Sequence, residues 1–165
     1  MADFSLGSVE VSLSPSDRFA EFLQSRGKRF TQQKQSLLDT IFKRHEHFDV
    51  DDLLEELRQV EDGPKASRPT VYRTLNELVE AGLLRRMNLN GRAVYEHDYG
   101  YPQHDHLHCE KCNKLIEFQS AELEQLRKAV AELHNFRFTG HRFIINGVCE
   151  DCAKTRRRKR PLDLI

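Results

Sequence analysis

Between residues 104 and 112 the chain reads HDHLHCEKC, which places three histidines, one aspartate and two cysteines within nine positions. All are metal-binding side chains. Cys109 and Cys112 are matched by a second pair, Cys149 and Cys152, in the sequence CEDC. Two residues between thiolates let one turn present both sulfurs to one tetrahedral ion, and four thiolates complete its coordination. The spacing therefore predicts structural Zn²⁺ with no open position for catalysis. Thiol–disulfide chemistry is the competing use of the same sulfurs. The 36 residues between the pairs would make this site a clip from the start of a C-terminal unit to its end.

The histidines pose a separate question. His104 and His106 alternate, so a strand would put them on one face with Asp105 on the other, and His108 would return to the histidine face. Imidazole with carboxylate suits Fe²⁺, Mn²⁺ or Zn²⁺, whereas thiolates select zinc. His47, Glu96, Glu117, Glu124, His134 and His141 are the further candidate donors elsewhere in the chain.

These groups must be positioned by a chain of 165 residues, a length that suits one or two small domains. The composition is 38% hydrophobic and 32% charged, which fits a small soluble protein with a limited core. No run approaches the ~20 apolar residues of a membrane span, so no membrane partner is expected. The N-terminus lacks a basic start followed by an apolar block, so no signal peptide is expected and the cytoplasm is the default location. Cysteines there are metal ligands or redox groups more often than disulfides. The net charge is zero, yet the charges are segregated. Arg26, Lys28, Arg29 and Lys34 form a basic stretch, residues 49–62 hold seven acids and one arginine, and residues 156–160 are all basic.

Residues 1–13 read as a flexible leader, and 154–165 as a basic, solvated tail. Four helices are expected after the leader. Ser14, Thr31, Asp49 and Ser67 are their caps, and Gly27 and Gly82 are stops for the first and last. Their inner faces are Phe19, Phe22 and Leu23; Leu37, Leu38, Ile41 and Phe42; Val50, Leu53, Leu54, Leu57 and Val60; and Val71, Leu75, Leu78 and Val79. Residues 62–67 read as a loop. Two strand-like runs then flank Asn90-Gly91, the preferred pair for a two-residue hairpin turn.

Helices followed by a hairpin predict a winged helix-turn-helix over 14–97. The outward residues of its last helix, Arg68, Thr70, Tyr72, Arg73 and Asn76, suit phosphates and base edges. A winged helix used for protein contacts is the alternative. Residues 98–103 read as a hinge. A small unit over 104–153 follows, with one helix and two or three strands. Leu123, Leu126, Val130 and Leu133 are expected to point inward from that helix. So thin a core needs a metal, a partner subunit, or both. No HExxH helix, Gly-rich phosphate loop or GxSxG elbow occurs, so catalysis is not expected. A zinc-stapled protein-interaction module is the other competing class.

In combination, RPTVYRTLNELVEAGLL, HDHLHCEKC, KLIEF and the closing CEDC resemble the ferric uptake regulator family of metal-responsive bacterial repressors, across roughly residues 14–153. The resemblance implies an α+β protein: an N-terminal winged helix-turn-helix domain, a hinge and a small C-terminal α/β dimerisation domain. It implies a homodimer, or a tetramer built from it, on double-stranded DNA at AT-rich inverted repeats when a sensor metal is loaded. The sensor site maps onto His47, Glu96, His104, His106 and Glu117. A second site maps onto Asp105, Glu124 and His141, where Gln103 stands in place of a frequent family histidine. DNA contacts map onto Tyr72 and Arg73, with Thr70 and Asn76, and onto Arg29 in an AT-rich minor groove. Lys34 replaces a usual arginine, keeping phosphate attraction without bidentate geometry. His134 lies near an accessory position, or simply meets its helix dipole. His45, His97 and His108 read as surface or packing residues.

Peroxide-sensing relatives place aspartate where this chain has Glu96 and Glu117, and zinc sensors often use a cysteine, all four of which are committed here. Fe²⁺ is therefore the expected regulatory ion, with Mn²⁺ or Zn²⁺ as alternatives. The alternative functions are zinc, manganese or peroxide response.

Overall fold

The structure is a computed structural model that describes residues 9–44, 46–59 and 66–157, with side chains described through Lys154. The sequence readings for residues 1–8, His45, Val60, 62–65 and 158–165 lie outside the described residues. The chain divides into two compact units, one ending at Tyr101 and one beginning at Pro102.

The first unit is built from α1 (Pro15–Ser25), α2 (Gln32–Lys43), α3 (Val50–Gln59), α4 (Arg68–Glu80), β1 (Leu84–Leu89) and β2 (Arg92–His97). Ser14, Thr31 and Ser67 cap α1, α2 and α4, each side chain accepting from a first-turn N–H. At α3 the cap is reciprocal. Asp49 accepts from the Asp51 and Asp52 N–H groups at 2.8 and 2.9 Å, and Asp52 accepts from the Asp49 N–H at 2.9 Å. Helix α1 ends in a Schellman turn: Gly27 adopts φ 65°, and the Lys28 N–H reaches back to the Leu23 carbonyl. Gly82 ends α4 in the same way, with φ 69°.

The inner faces of these helices meet in one core, where Phe19, Leu23, Leu37, Leu38, Ile41, Leu53, Val71, Leu75, Leu78 and Leu83 are buried. Each large aliphatic or aromatic side chain buried there stabilises the unit by about 1.5–3 kcal/mol. Strands β1 and β2 pair antiparallel from Leu84↔His97 to Leu89↔Arg92. Asn90 and Gly91 both have positive φ (51° and 82°), the geometry of a type I′ turn. Phe48 adds a bridge to Tyr95, with N–H···O contacts of 2.8 and 3.1 Å. This is a winged helix, with α4 as the helix before the wing.

The second unit contains β3 (Asp105–Cys109), β4 (Leu115–Phe118), α5 (Ala121–Leu133), β5 (Ile144–Gly147) and α6 (Glu150–Arg157). Strand β3 is central: antiparallel to β4 and parallel to β5, with Cys109 opposite Gly147. Ser120 caps α5, and Asn135, at φ 50°, ends it in a third Schellman turn.

Two expectations are corrected here. The face of α5 expected to point inward is open: Leu126 is 60% exposed, Val130 51% and Leu133 77%, and Leu123 is half-buried. The three-stranded sheet is too small to cover a four-turn helix, so the apolar stripe projects from the unit. The second cysteine pair also leads into a helix rather than straight into a tail. It enters α6, which runs through Arg157 and so takes in the start of the segment expected to be a tail. Glu150 and Asp151 in the first turn of α6 favour its positive end.

Candidate metal centres

The end of β3 and the start of α6 bring the four cysteines together. The donor sulfurs of Cys109, Cys112, Cys149 and Cys152 all lie within 4.8 Å of one another, and none forms a disulfide. Asn113, at φ 59°, closes the first pair into a knuckle, and its N–H meets the Cys109 carbonyl at 2.8 Å. The Cys149 N–H points at Cys109 Sγ, 3.3 Å away. That N–H, with those of Cys112 and Lys111, pulls the Cys109 thiol down to about 6. In the opposite direction, the Cys149 and then the Cys112 sulfur push Cys152 up to about 12. Four thiols this close cannot all ionise alone, and a divalent cation resolves that conflict. The donor set fits structural zinc.

The second unit holds another donor group. The ligating atoms of His104, His106 and Glu117 lie within 4.8 Å of one another. His106 sits opposite Glu117 in the β3–β4 register, and the His104 and His106 rings are 4.8 Å apart. The Pro102 carbonyl accepts from His104 Nδ1 at 2.9 Å. This fixes the tautomer with a lone pair on Nε2, which faces Glu117 Oε1 at 3.8 Å. Two acceptors facing one another need a cation between them. Both histidines are buried.

In the first unit, His47 follows α2 and Glu96 lies on β2. Their Nε2 and Oε2 atoms are 3.0 Å apart, and Glu96 is 3% exposed. Arg85 Nη1 lies 3.8 Å from the other Glu96 oxygen. Each unit thus carries a His/Glu set with metal-ligand chemistry, buried at Glu96, His104 and His106 and half-buried at His47 and Glu117.

The remaining predicted donors are placed differently. Asp105 and His141 are paired at 2.8 Å, but Glu124 turns to Lys128 at 2.6 Å. His134 is the exposed C-cap residue of α5. His97 packs between Phe42 and Tyr101, with ring centroids 4.6 and 5.4 Å away. His108 is buried against Asn146, its Nδ1 3.0 Å from Oδ1.

On α4, Arg68, Tyr72, Arg73 and Asn76 are exposed along one side, and so is Arg29 before α2. Arg68 pairs with Asp51, and the Thr70 hydroxyl is 2.9 Å from the Ser67 hydroxyl, so these two side chains are already engaged within the unit. Sequence reasoning missed the buried Glu77 on the inner side of α4. Its carboxylate binds Lys28 at 2.9 Å and Lys34 at 2.7 Å, which ties α4 to α2 and to the segment carrying Arg29. Burial by itself would raise the Glu77 carboxyl, but Lys34 and then Lys28 outweigh it and hold it below the usual range. The signal was present in the spacing, because position 77 falls between Thr74 and Leu78 on the inward face.

The described residues contain no helix long and apolar enough to cross a membrane. Residues 25–146 match the model of the ferric uptake regulator family. The ferric uptake regulation protein of Neisseria gonorrhoeae is 35% identical over 82% of this chain and 94% of its own length. That of Campylobacter upsaliensis is 33% identical over 82% of this chain and 87% of its own. Among solved structures, the Francisella tularensis ferric uptake regulator with iron is 31% identical with a TM-score of 0.67, covering 77% of this chain and 96% of that one.

Proposed function

Because the chain belongs to the ferric uptake regulator family, we propose that it is a repressor that takes ferrous iron as its regulatory ion and then binds AT-rich inverted repeats as a homodimer. As a member of that family it is a metal-dependent transcriptional regulator and not an enzyme. The observation that carries the reading is the division of one kind of donor set between the two units. His47 and Glu96 stand together in the winged helix, and His104, His106 and Glu117 stand together in the other unit.

When bound, the ion would supply the positive charge that His/Glu donors of this kind require. The protein's own residues do the rest. The Pro102 carbonyl orients His104, and Glu96 and Glu117 supply the negative charge that admits a divalent ion. The winged helix presents Tyr72, Arg73 and Asn76 to base edges and backbone, Thr70 to backbone, and Arg29 to a narrow minor groove. Coupling of about 1–3 kcal/mol per site, typical of allostery, would raise DNA affinity roughly 5- to 150-fold.

Zn²⁺ on Cys109, Cys112, Cys149 and Cys152 is structural in this reading. The exposed stripe of Leu126, Val130 and Leu133 supports a second copy of the chain as partner. Glutamate at both carboxylate positions, with every cysteine in the zinc cluster, supports iron over peroxide or zinc response.

The test is anaerobic binding of the zinc-loaded protein to an AT-rich inverted-repeat duplex, at fixed salt, with Fe²⁺, Mn²⁺ or Zn²⁺ titrated in. A large gain with Fe²⁺ or its surrogate Mn²⁺ is expected. A gain with Zn²⁺ alone moves the protein to zinc sensing, and metal-independent binding refutes the sensor reading.

A further inference from the structure

Asp105, Glu124 and His141 were the donors expected for a second ion, yet His141 has both ring nitrogens engaged. Its Nε2 lies 2.8 Å from Asp105 Oδ1, and its Nδ1 meets Arg127 Nη1. A guanidinium only donates, so Nδ1 carries the lone pair and the ring hydrogen is on Nε2, the nitrogen that faces Asp105. That imidazole has no lone pair left for a metal. Glu124 faces cations instead, Lys128 at 2.6 Å and Arg127 Nη2 at 3.7 Å. Gln103 turns its side-chain amide to the His141 carbonyl, donating at 3.2 Å, and its backbone carbonyl accepts from Gln119 Nε2 at 2.7 Å. Arg127 is held over the Phe138 ring, 5.1 Å from its centroid.

We infer that Arg127 is the resident cation of this pocket, closing the Asp105–His141 pair with an internal guanidinium where a second regulatory ion would otherwise bind. The buried Asp105 carboxylate faces the imidazole at 2.8 Å, and the Arg127–His141 contact brings α5 to β3 without a metal. An incoming divalent ion would have to displace Arg127 and would still face Lys128. The consequence is a chain that exchanges metal at fewer places than its donor count suggests. The inference is independent of which ion the regulatory donors prefer.

The test is equilibrium dialysis of the full, zinc-loaded protein against Mn²⁺, with metal analysis. Wild type and His141→Ala should bind the same number of Mn²⁺ ions per chain. Gln103→His combined with Arg127→Ala should bind one more, and adding His141→Ala should abolish that gain. Loss of one ion on His141→Ala alone would overturn the inference, whatever occupies the regulatory donors. So would a folded double variant that gains none. Should the double variant not fold, ¹⁵N NMR of the wild-type ring decides the matter. Hydrogen on Nε2 with a bare Nδ1 supports the arrangement, and the opposite tautomer overturns it.

Discussion

Replacing Glu77 by glutamine removes a buried charge from the inner side of α4 while keeping its shape. Two ammonium groups lie 2.9 and 2.7 Å from the carboxylate, whose side chain is 5% exposed. At ~3 Å and an effective dielectric constant of ~20, each pair is worth roughly 5–6 kcal/mol of Coulomb energy. Burial of the ions offsets most of that, and breaking a buried pair typically costs about 3–5 kcal/mol. Here Lys28 is 47% exposed and regains water easily, and glutamine still accepts one hydrogen bond. The expected loss is therefore about 2 kcal/mol at pH 7. Its pH dependence follows from the lowered carboxyl. The stabilisation is fully present above the unfolded value near ~4.3 and is lost as pH falls through the lower folded value. Urea unfolding of both proteins, followed by circular dichroism from pH 7 to pH 3, measures it, and taking the difference at each pH cancels the acid lability of the zinc cluster. DNA affinity should fall as well, because Glu77 positions α4 against the segment that carries Arg29. A difference below ~0.5 kcal/mol at pH 7, or one that persists unchanged to pH 3, would refute the reasoning.

The double substitution of His104 and His106 by alanine should leave a folded, zinc-containing dimer whose DNA affinity no longer rises with metal; unfolding, or a wild-type response in a gel shift, would show the division of labour to be wrong. Cys109→Ser should release zinc and destabilise the second unit, read by metal analysis and thermal unfolding. Arg73→Ala should weaken operator binding by about 1–3 kcal/mol while Mn²⁺ affinity is unchanged, measured by fluorescence anisotropy and calorimetry. Gly91→Ala places a Cβ at φ 82° and should cost about 1–2 kcal/mol in thermal stability with no steric clash, since nothing lies within 4 Å of that position.

The winged helix was readable because its signals are local. Ser14, Thr31 and Ser67 cap the helices they precede, Gly27 and Gly82 sit at the left-handed stops, and Asn90-Gly91 takes the turn its two residues prefer. The cysteine cluster was readable for a similar reason, since its spacing encodes its geometry. The inward face of α5 was misread because periodicity marks an apolar stripe without saying what covers it. Leu126 and Leu133 obey the helical period and still face outward. Helix α6 was missed because the cysteines and the basic run masked its short pattern. The role of Arg127 had no local signal at all: its partner His141 lies fourteen residues away and reaches it only because the chain folds back between α5 and β5.

The parallel pairing of β3 with β5 sets when the zinc cluster can form during synthesis. Parallel neighbours place their C-terminal ends side by side, so Cys109 waits at the end of β3 for Cys149, forty residues later. The winged helix can fold on the ribosome as soon as it emerges, because all its strands and helices are contiguous in sequence. The second unit cannot seat its ion until α6 has been made, a delay of seconds at typical translation rates of ~5–20 residues per second. During that interval Cys109 and Cys112 are a half-formed binding site. A nascent chain that meets oxidant then is open to the wrong sulfur chemistry, and one that finishes in the presence of zinc is locked into strand register: a one-residue slip of β5 would carry Cys149 ~3.3 Å away from its partners.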